Sequence, residues 1–341
     1  MRPYTRFDNN SIDLHSNNSY VCVIDEQDNP LLERRFKNEA AAITGALAPY
    51  RDGLQGVAVE STFNWYWLVD ALMAAGFDVR LVNPAKVVQY QGLKRTDDRY
   101  DAFHLAHLMR LGILPTGYIY PPALRGLRDL LRKRLQLVQD RTRHLLSFKT
   151  QYQRLTGRTI PVHEVKAKDF ECPVLGDDNV QLALKSNLRM SRCLTTQIKE
   201  LERAALAQVR AGREYELLQG VYGIGPVLAQ TILLETGPIS RFGNVGQYAS
   251  YCRCVDSRRE SNGKKKGEGN RKNGNRYLAW AYMEAANLAV RHHDKAHRFY
   301  QRKAAKTHRV VALKALAHKL ARACYYMLLR GAPFDEDKVF V

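Results

Sequence analysis

Four carboxylates stand where they could hold divalent cations: Asp13, Glu60, Asp98 and Asp101. Asp13 lies in Ser11-Ile12-Asp13-Leu14, just ahead of the first clear strand pattern. Glu60 ends Gly56-Val57-Ala58-Val59-Glu60, a buried-type strand whose tip gains nothing structurally from a charge. Asp98 and Asp101 open a helical pattern, and their i,i+3 spacing puts both on one face with Leu105 and Leu108 beneath. Oxygen ligands from strand ends and a helix start suit Mg²⁺ or Mn²⁺. Two such ions, about 4 Å apart, stabilise the attacking and leaving oxygens of a phosphoryl transfer. A plainer account also exists, since acids at a helix start are favoured by the helix dipole whatever the function. Asp97 and Asp101 share a face as well, so the third ligand stays open between Asp97 and Asp98.

A second cluster is basic. The stretch Asp256–Asn275 is almost pure Gly, Asn, Lys and Arg around Ser261, and it reads as a loop. Lys264, Lys265, Lys266, Arg271, Lys272 and Arg276 are placed to grip phosphates without reading bases. Arg258 and Arg259 could offset charge on a phosphorane-like transition state. Gly223 and Gly225, in Gly223-Ile224-Gly225-Pro226, could bring backbone N–H groups close to a phosphate, although such turns are common between helices. A serine in a loop of this composition is ordinarily a turn residue, and no His–Asp relay accompanies Ser261, so a Ser-His-Asp hydrolase is not expected.

Elements must position these groups. Residues 10–115 alternate between strand patterns (Tyr20–Ile24, Leu31–Phe36, Gly56–Glu60, Val79–Val82) and helical ones (Asn38–Leu47, Trp65–Ala75, Asp98–Leu111). The first two strands, split by Glu26-Gln27-Asp28-Asn29-Pro30, predict an antiparallel hairpin; the alternation that follows predicts an α/β domain with a mixed sheet. From Pro121 onward, Leu124, Leu127, Leu131, Leu135, Val138 and Leu145 lay one apolar stripe along a long helix, and Leu194, Ile198, Leu201, Ala205 and Val209 mark a second. Two long antiparallel helices forming a coiled-coil-like spacer are the simplest account; an ordinary two-helix hairpin in a bundle is the alternative. The remainder is mostly helical. The domain expectation is 1–120, 121–213 and 214–341.

The chain has 341 residues, with 53 Lys+Arg against 34 Asp+Glu, a formal net charge of +19. That excess favours a polyanionic partner, and 45% hydrophobic residues suffice to build real cores. Six scattered cysteines contain no CxxC pair and offer no zinc-finger spacing, as expected for reduced thiols. No signal-peptide core and no apolar run of about 18 residues is present, so a soluble cytoplasmic protein with no membrane partner is expected.

The order Asp13, Glu60, Asp98-Arg99-Tyr100-Asp101-Ala102 resembles the DEDD transposases of bacterial insertion sequences. Asn83-Pro84-Ala85-Lys86 and Lys94-Arg95-Thr96 add to the likeness. So do Gly223-Ile224-Gly225-Pro226, Arg241-Phe242, Gln247-Tyr248-Ala249-Ser250-Tyr251, Arg259-Glu260-Ser261 and Gly274-Asn275-Arg276, in that order. Two motifs depart: Ser11 stands where a glycine is usual, and Glu60-Ser61-Thr62-Phe63 replaces Glu-Ala-Thr-Gly. The resemblance implies a RuvC-like, RNase H-type first domain whose catalytic acids and metal ligands are Asp13, Glu60, Asp98 and Asp101. It also implies a C-terminal transposase domain in which Ser261 attacks DNA to give a covalent phosphoserine. Its further implications are donor and target DNA as substrates, a structured guide RNA from the element, and a homo-oligomer, dimer or tetramer. In that assembly the acids of one subunit join the serine of another. The residues alone leave two other readings open: a RuvC-like structure-specific nuclease in which Ser261 is inert, and a non-catalytic nucleic-acid-binding protein.

Overall fold

Strand β2 (Asn18–Ile24) is Val/Ile-rich and almost wholly buried, whereas β3 (Pro30–Lys37) carries Glu33, Arg34, Arg35 and Lys37 and lies at a sheet edge. Charge on an edge strand blocks pairing with another chain. Between them Asp25 accepts hydrogen bonds from the Gln27 and Asn29 backbone N–H groups, each at 2.9 Å, which sets the expected turn. The computed structural model describes residues 8–87, 97–208, 212–256, 259–267 and 273–340. They fall into two compact units, Met1–Ile119 and Tyr120–Val341.

The first unit is built on a five-stranded mixed sheet. Its strands are β1 (Asp8–Leu14), β2, β3, β4 (Leu54–Glu60) and β5 (Val79–Val82), in the order β3-β2-β1-β4-β5. β1 pairs antiparallel with β2 and parallel with β4, so it is the central strand. Here the structure departs from the sequence reading, in which Asp13 preceded the first strand. Asp13 lies within β1. Asn9, Asn10 and Ser11 fill the sheet centre where apolar residues would normally be, and this removes the hydrophobic pattern by which a central strand is recognised.

One sheet face, with Ile12, Leu14, Val57 and Val59, packs on Ile43 and Leu47 of α1 (Ala40–Leu47) and on Leu68, Val69 and Leu72 of α2 (Tyr66–Ala74). Trp65 is buried in the same core. After the single turn α3 (Pro84–Val87), helix α4 (Asp98–Arg110) covers the other face. Its Ala102 and Ala106 meet Cys22 and Ile24, and its Leu105 and Leu108 meet Ala58 and Val82. Alanines at that contact let the helix approach closely, and the Ser11 hydroxyl donates to the Ala102 carbonyl.

The second unit opens with α5 (Pro122–Thr156), 35 residues long and closed by Gly157 in the left-handed conformation. The short α6 (Val162–Val165) leads to α7 (Asp178–Gln208), 31 residues long. Arg134 pairs with Glu202 and His144 with Asn187, so the two long helices run antiparallel. Among the described residues the α-helices that follow are α8 (Arg213–Gln219), α9 (Pro226–Thr236), α10 (Val245–Tyr251), α11 (Arg276–His292), α12 (Asp294–Ala304), α13 (Arg309–Arg330) and α14 (Glu336–Val339). Their core centres on Tyr248 and Tyr282, fully buried with hydroxyls 2.7 Å apart.

The Asp256–Asn275 segment is not wholly a loop. Arg259–Ser261 (β6) and Lys264–Gly267 (β7) form an antiparallel hairpin around Asn262-Gly263, both at positive φ. Asn-Gly is the preferred pair for a two-residue turn that needs φ > 0 twice.

Candidate active site

The carboxylates of the first unit converge. Parallel pairing sets Ser11 beside Ala58 and Ile12 beside Val59, so the next step along both strands sets Asp13 beside Glu60. Strand alternation sends Asp13 to the face of Ser11, the face covered by α4. Asp13 is 2% exposed. The first turn of α4 carries Asp98 and Asp101 to the same place, since the Ser11 hydroxyl holds the carbonyl that follows Asp101.

The charge state records this crowding. Burial, a hydrogen bond with Asp13 and the charges of Asp13 and Asp101 push the Glu60 carboxyl up to about 8. Like carboxylates in a shielded site cannot all ionise, so a proton is retained among them. A set of crowded oxygen donors in this condition suits a small divalent cation, which compensates the repulsion that a proton otherwise relieves.

Asp97 and Asp98 part company. Asp97 is the N-cap of α4 and accepts from the Tyr100 N–H at 2.8 Å, a bond typically worth about 1 kcal/mol to a helix. Asp98 instead faces the cluster, where Arg35 on β3 donates to it at 2.7 Å.

Sequence reasoning missed His15. Its Nε2 lies 3.0 Å from an Asp13 oxygen and 3.2 Å from an Asp98 oxygen, and one donor atom from each of the three residues falls within a sphere that could hold a cation. The signal was available: His15 follows Asp13 by two residues, just past the end of β1. Two further histidines, His104 and His107, lie on α4. His104 stacks on Tyr100, and burial lowers its imidazole pKa. His107 and Arg110 share Asp28.

Ser261, in the second unit, closes β6 and pairs with Lys264 across the Asn-Gly turn. Paired residues in an antiparallel ladder share a face, so Lys264 lies on the side of the serine, while Lys266 falls at the register shift between the Glu260–Lys265 and Arg259–Gly267 pairs. Ser261, Lys264 and Lys266 are all exposed. Among the described residues no carboxylate or histidine bonds to the serine hydroxyl. Arg259 and Lys265 belong to the hairpin backbone. Arg258, Arg271 and Lys272, like Lys94-Arg95-Thr96, lie outside the described residues.

The hairpin returns to a firmly fixed helix start. Gly274 has φ +92, and a Cβ there would come within 2.6 Å of the Tyr251 carbonyl oxygen. Asn275 caps α11 through the Tyr277 and Leu278 N–H groups and donates to Glu235 at 2.7 Å. Burial alone would raise the Glu235 carboxyl, but Arg132, Arg128 and Asn275 hold it below the usual range. Arg276 is exposed, with its guanidinium over the Tyr277 ring.

The glycine turn has a packing role. A Cβ on Gly223 would lie 2.2 Å from the Ala285 carbonyl oxygen of α11, so the helix contact there requires glycine. Gly225 is exposed at the N-cap of α9.

Family comparisons supply the class of protein, a transposase, which recombines DNA. A transposase family model, that of the IS110-type DEDD enzymes, matches residues 11–154, and the model of the transposase IS116/IS110/IS902 family matches residues 215–301. The chain belongs to this DEDD transposase family of insertion sequences. A curated relative from Pseudomonas aeruginosa, described as a probable family 20 transposase, is 26% identical over 290 residues, covering 80% of this chain and 84% of the relative.

Proposed function

We propose that the chain is the recombinase of an insertion sequence and exchanges DNA strands through a phosphoserine bond at Ser261. In this reading residues 1–120 are an RNase H-like (RuvC-like) catalytic domain, 121–213 a coiled-coil spacer and 214–341 the transposase domain that carries the nucleophile. The observation that carries it is the convergence of Asp13, Glu60 and Asp101, which leaves the Glu60 carboxyl at about 8. Asp13, Glu60, Asp98 and Asp101 are the ligand set for Mg²⁺ or Mn²⁺, with His15 beside them. When bound, such ions supply Lewis-acid stabilisation of the charge that builds on a phosphate under attack.

The Ser261 hydroxyl oxygen attacks the phosphorus of a backbone phosphodiester. Its proton leaves, the phosphorus–oxygen bond to one deoxyribose breaks, and that deoxyribose is released as a free hydroxyl. Attack by a hydroxyl from the exchanged strand then returns the serine and restores a phosphodiester. Bond energy is conserved, so no ATP is consumed. Lys264, Lys266 and Arg276 hold the flanking phosphates, a positioning role without base selection. A structured guide RNA and a homo-oligomer, both carried by the family resemblance, complete the reading.

The test is to incubate the protein with guide RNA, DNA and Mg²⁺, denature it, and seek a DNA-linked peptide by mass spectrometry. The adduct should map to Ser261 and vanish in Ser261→Ala, with DNA affinity nearly unchanged. Full cleavage by Ser261→Ala would instead favour a metal-dependent nuclease with an inert serine, and no cleavage by any form would favour a binding protein.

A further inference from the structure

The stretch from Lys295 to Arg330 contains ten Lys or Arg residues and no Asp or Glu. It forms α12 and α13, which lie well past the serine hairpin in the chain. Core packing uses one side of α13, with Leu316, Leu320, Cys324 and Met327 buried. Lys319, Arg322, Tyr326 and Arg330, spaced three, four and four apart, occupy a different face, and the last three are exposed.

Among the described residues no carboxylate pairs with Arg302, Lys319, Arg322 or Arg330. Burial and then the charges of Arg302 and Arg322 lower the pKa of Lys319, so the three groups crowd one another across α12 and α13. Like charges gathered without a counter-ion oppose folding unless an external anion repays them.

The patch is also concave. A cavity of about 460 Å³ is lined by Lys319, Arg322, Tyr326, Arg330 and Phe334. Its one carboxylate, Asp335, is held by Lys338 at 2.6 Å. A second groove of about 400 Å³, with Arg298 and Arg302 in its wall, also borders the C-terminal segment, through Phe340. The Tyr326 ring is 37% exposed, braced edge-on by Tyr325 and covered on one side by Arg330 at 4.9 Å. Cations tracking a groove beside a braced, exposed aromatic ring make the arrangement that binds unpaired strands, because every base has a face to stack. A duplex offers the phosphates but keeps its bases stacked internally.

We propose that the Lys319–Arg322–Tyr326–Arg330 face of α13, with Arg302 of α12, binds single-stranded nucleic acid, its phosphates on the cations and one base on Tyr326. None of these residues belongs to the acid cluster or to the Ser261 hairpin. Its test needs no cleavage, so it stands or falls apart from the proposed chemistry.

The experiment measures fluorescence anisotropy of labelled dT12, rU12 and a 12-base-pair duplex against salt. It is done in full-length protein carrying Lys264→Ala, Lys265→Ala and Lys266→Ala, which silences the hairpin. Adding Arg302→Ala and Arg322→Ala should flatten the single-strand salt slope by about 1.4, near 0.7 per lost phosphate contact. Arg302→Lys with Arg322→Lys should keep the slope, which separates lost charge from lost fold. Tyr326→Leu should weaken dT12 and rU12 by about 5- to 100-fold and leave the duplex nearly unaffected. Preference between dT12 and rU12 identifies the sugar the face accepts. Unchanged slopes in the double alanine protein, equal losses for duplex and single strands in Tyr326→Leu, or displacement of dT12 by polyglutamate at equal charge would each overturn the proposal.

Discussion

The two regions proposed to react are held in opposite ways. The carboxylates sit on the central strand of a sheet and on a helix anchored to that strand, with Asp13 almost fully buried. Ser261 sits exposed on a two-strand hairpin whose turn needs only Asn262 and Gly263. Groups of like charge repel, and only a scaffold unable to relax can keep them together. A hydroxyl that must meet a bulky polymer gains from a light, accessible support. Rigidity is concentrated where repulsion must be resisted, and after the hairpin it reappears at Gly274 and Asn275.

The largest effect should come from removing a carboxylate. Asp13→Asn or Glu60→Gln should reduce recombination by about a thousandfold or more, equivalent to about 4 kcal/mol of barrier. The melting temperature should hold or rise, because Asp13→Asn removes a repelling charge and Glu60→Gln replaces a carboxyl that already holds a proton near neutral pH. Near-normal recombination by Glu60→Gln would erase the contrast between the regions. Asp98→Asn should resemble these variants, whereas Asp97→Asn should remain active, since asparagine also caps a helix.

Next is the buried brace behind the hairpin. Glu235→Gln leaves Arg128 and Arg132 facing a neutral amide and should cost about 3 kcal/mol in urea unfolding. The folded-state pKa of Glu235 is depressed, so its contribution is complete above the ordinary value of 4.5 and is lost as pH falls through the folded value. Stability measured from pH 6 downward should therefore fall less steeply in Glu235→Gln than in the parent. Equal slopes would remove Glu235 from the account.

A pair of glycine variants sharpens the contrast further. Gly274→Ala meets backbone and should destabilise by more than about 2 kcal/mol, while Gly263→Ala meets nothing and should cost only the left-handed strain, about 1 kcal/mol. The reverse order in thermal unfolding would show that the hairpin turn is the stiffer element. The smallest effect concerns the hairpin cations. Lys264→Ala, Lys265→Ala and Lys266→Ala together should flatten the salt dependence of DNA affinity by about three units across all sequences. An unchanged slope would place the hairpin away from nucleic acid.

Patterned elements were legible in the sequence and unpatterned ones were not. The apolar runs of β2, β4 and β5 and the apolar stripes of α4, α5 and α7 could be read directly, because one face of each meets a core. β1 could not, since polar Asn9, Asn10, Ser11 and Asp13 take most of its buried positions and only Ile12 and Leu14 remain to mark the core face. The hairpin went unread although Asn262-Gly263 is a strong turn signal, because the flanking residues are charged rather than alternately apolar. His15 was passed over because its relation to Asp13 depends on β1 being a strand.

The polar make-up of β1 has a consequence for how the chain reaches its native state. β1 pairs with β4, which begins about forty residues after β1 ends, so the Asp13–Glu60 contact is a distant one that closes late. Until then β1 can pair only with β2 and leaves its other edge open. A Val- and Ile-rich strand waiting in that condition would be a template for aggregation, whereas Asp-Asn-Asn-Ser-Ile-Asp-Leu is a poor one. Replacing Asn9 and Asn10 by valine should therefore lower the yield of refolding at high protein concentration even where the folded enzyme is no less stable, so the residues that hide this strand from inspection also protect it during assembly.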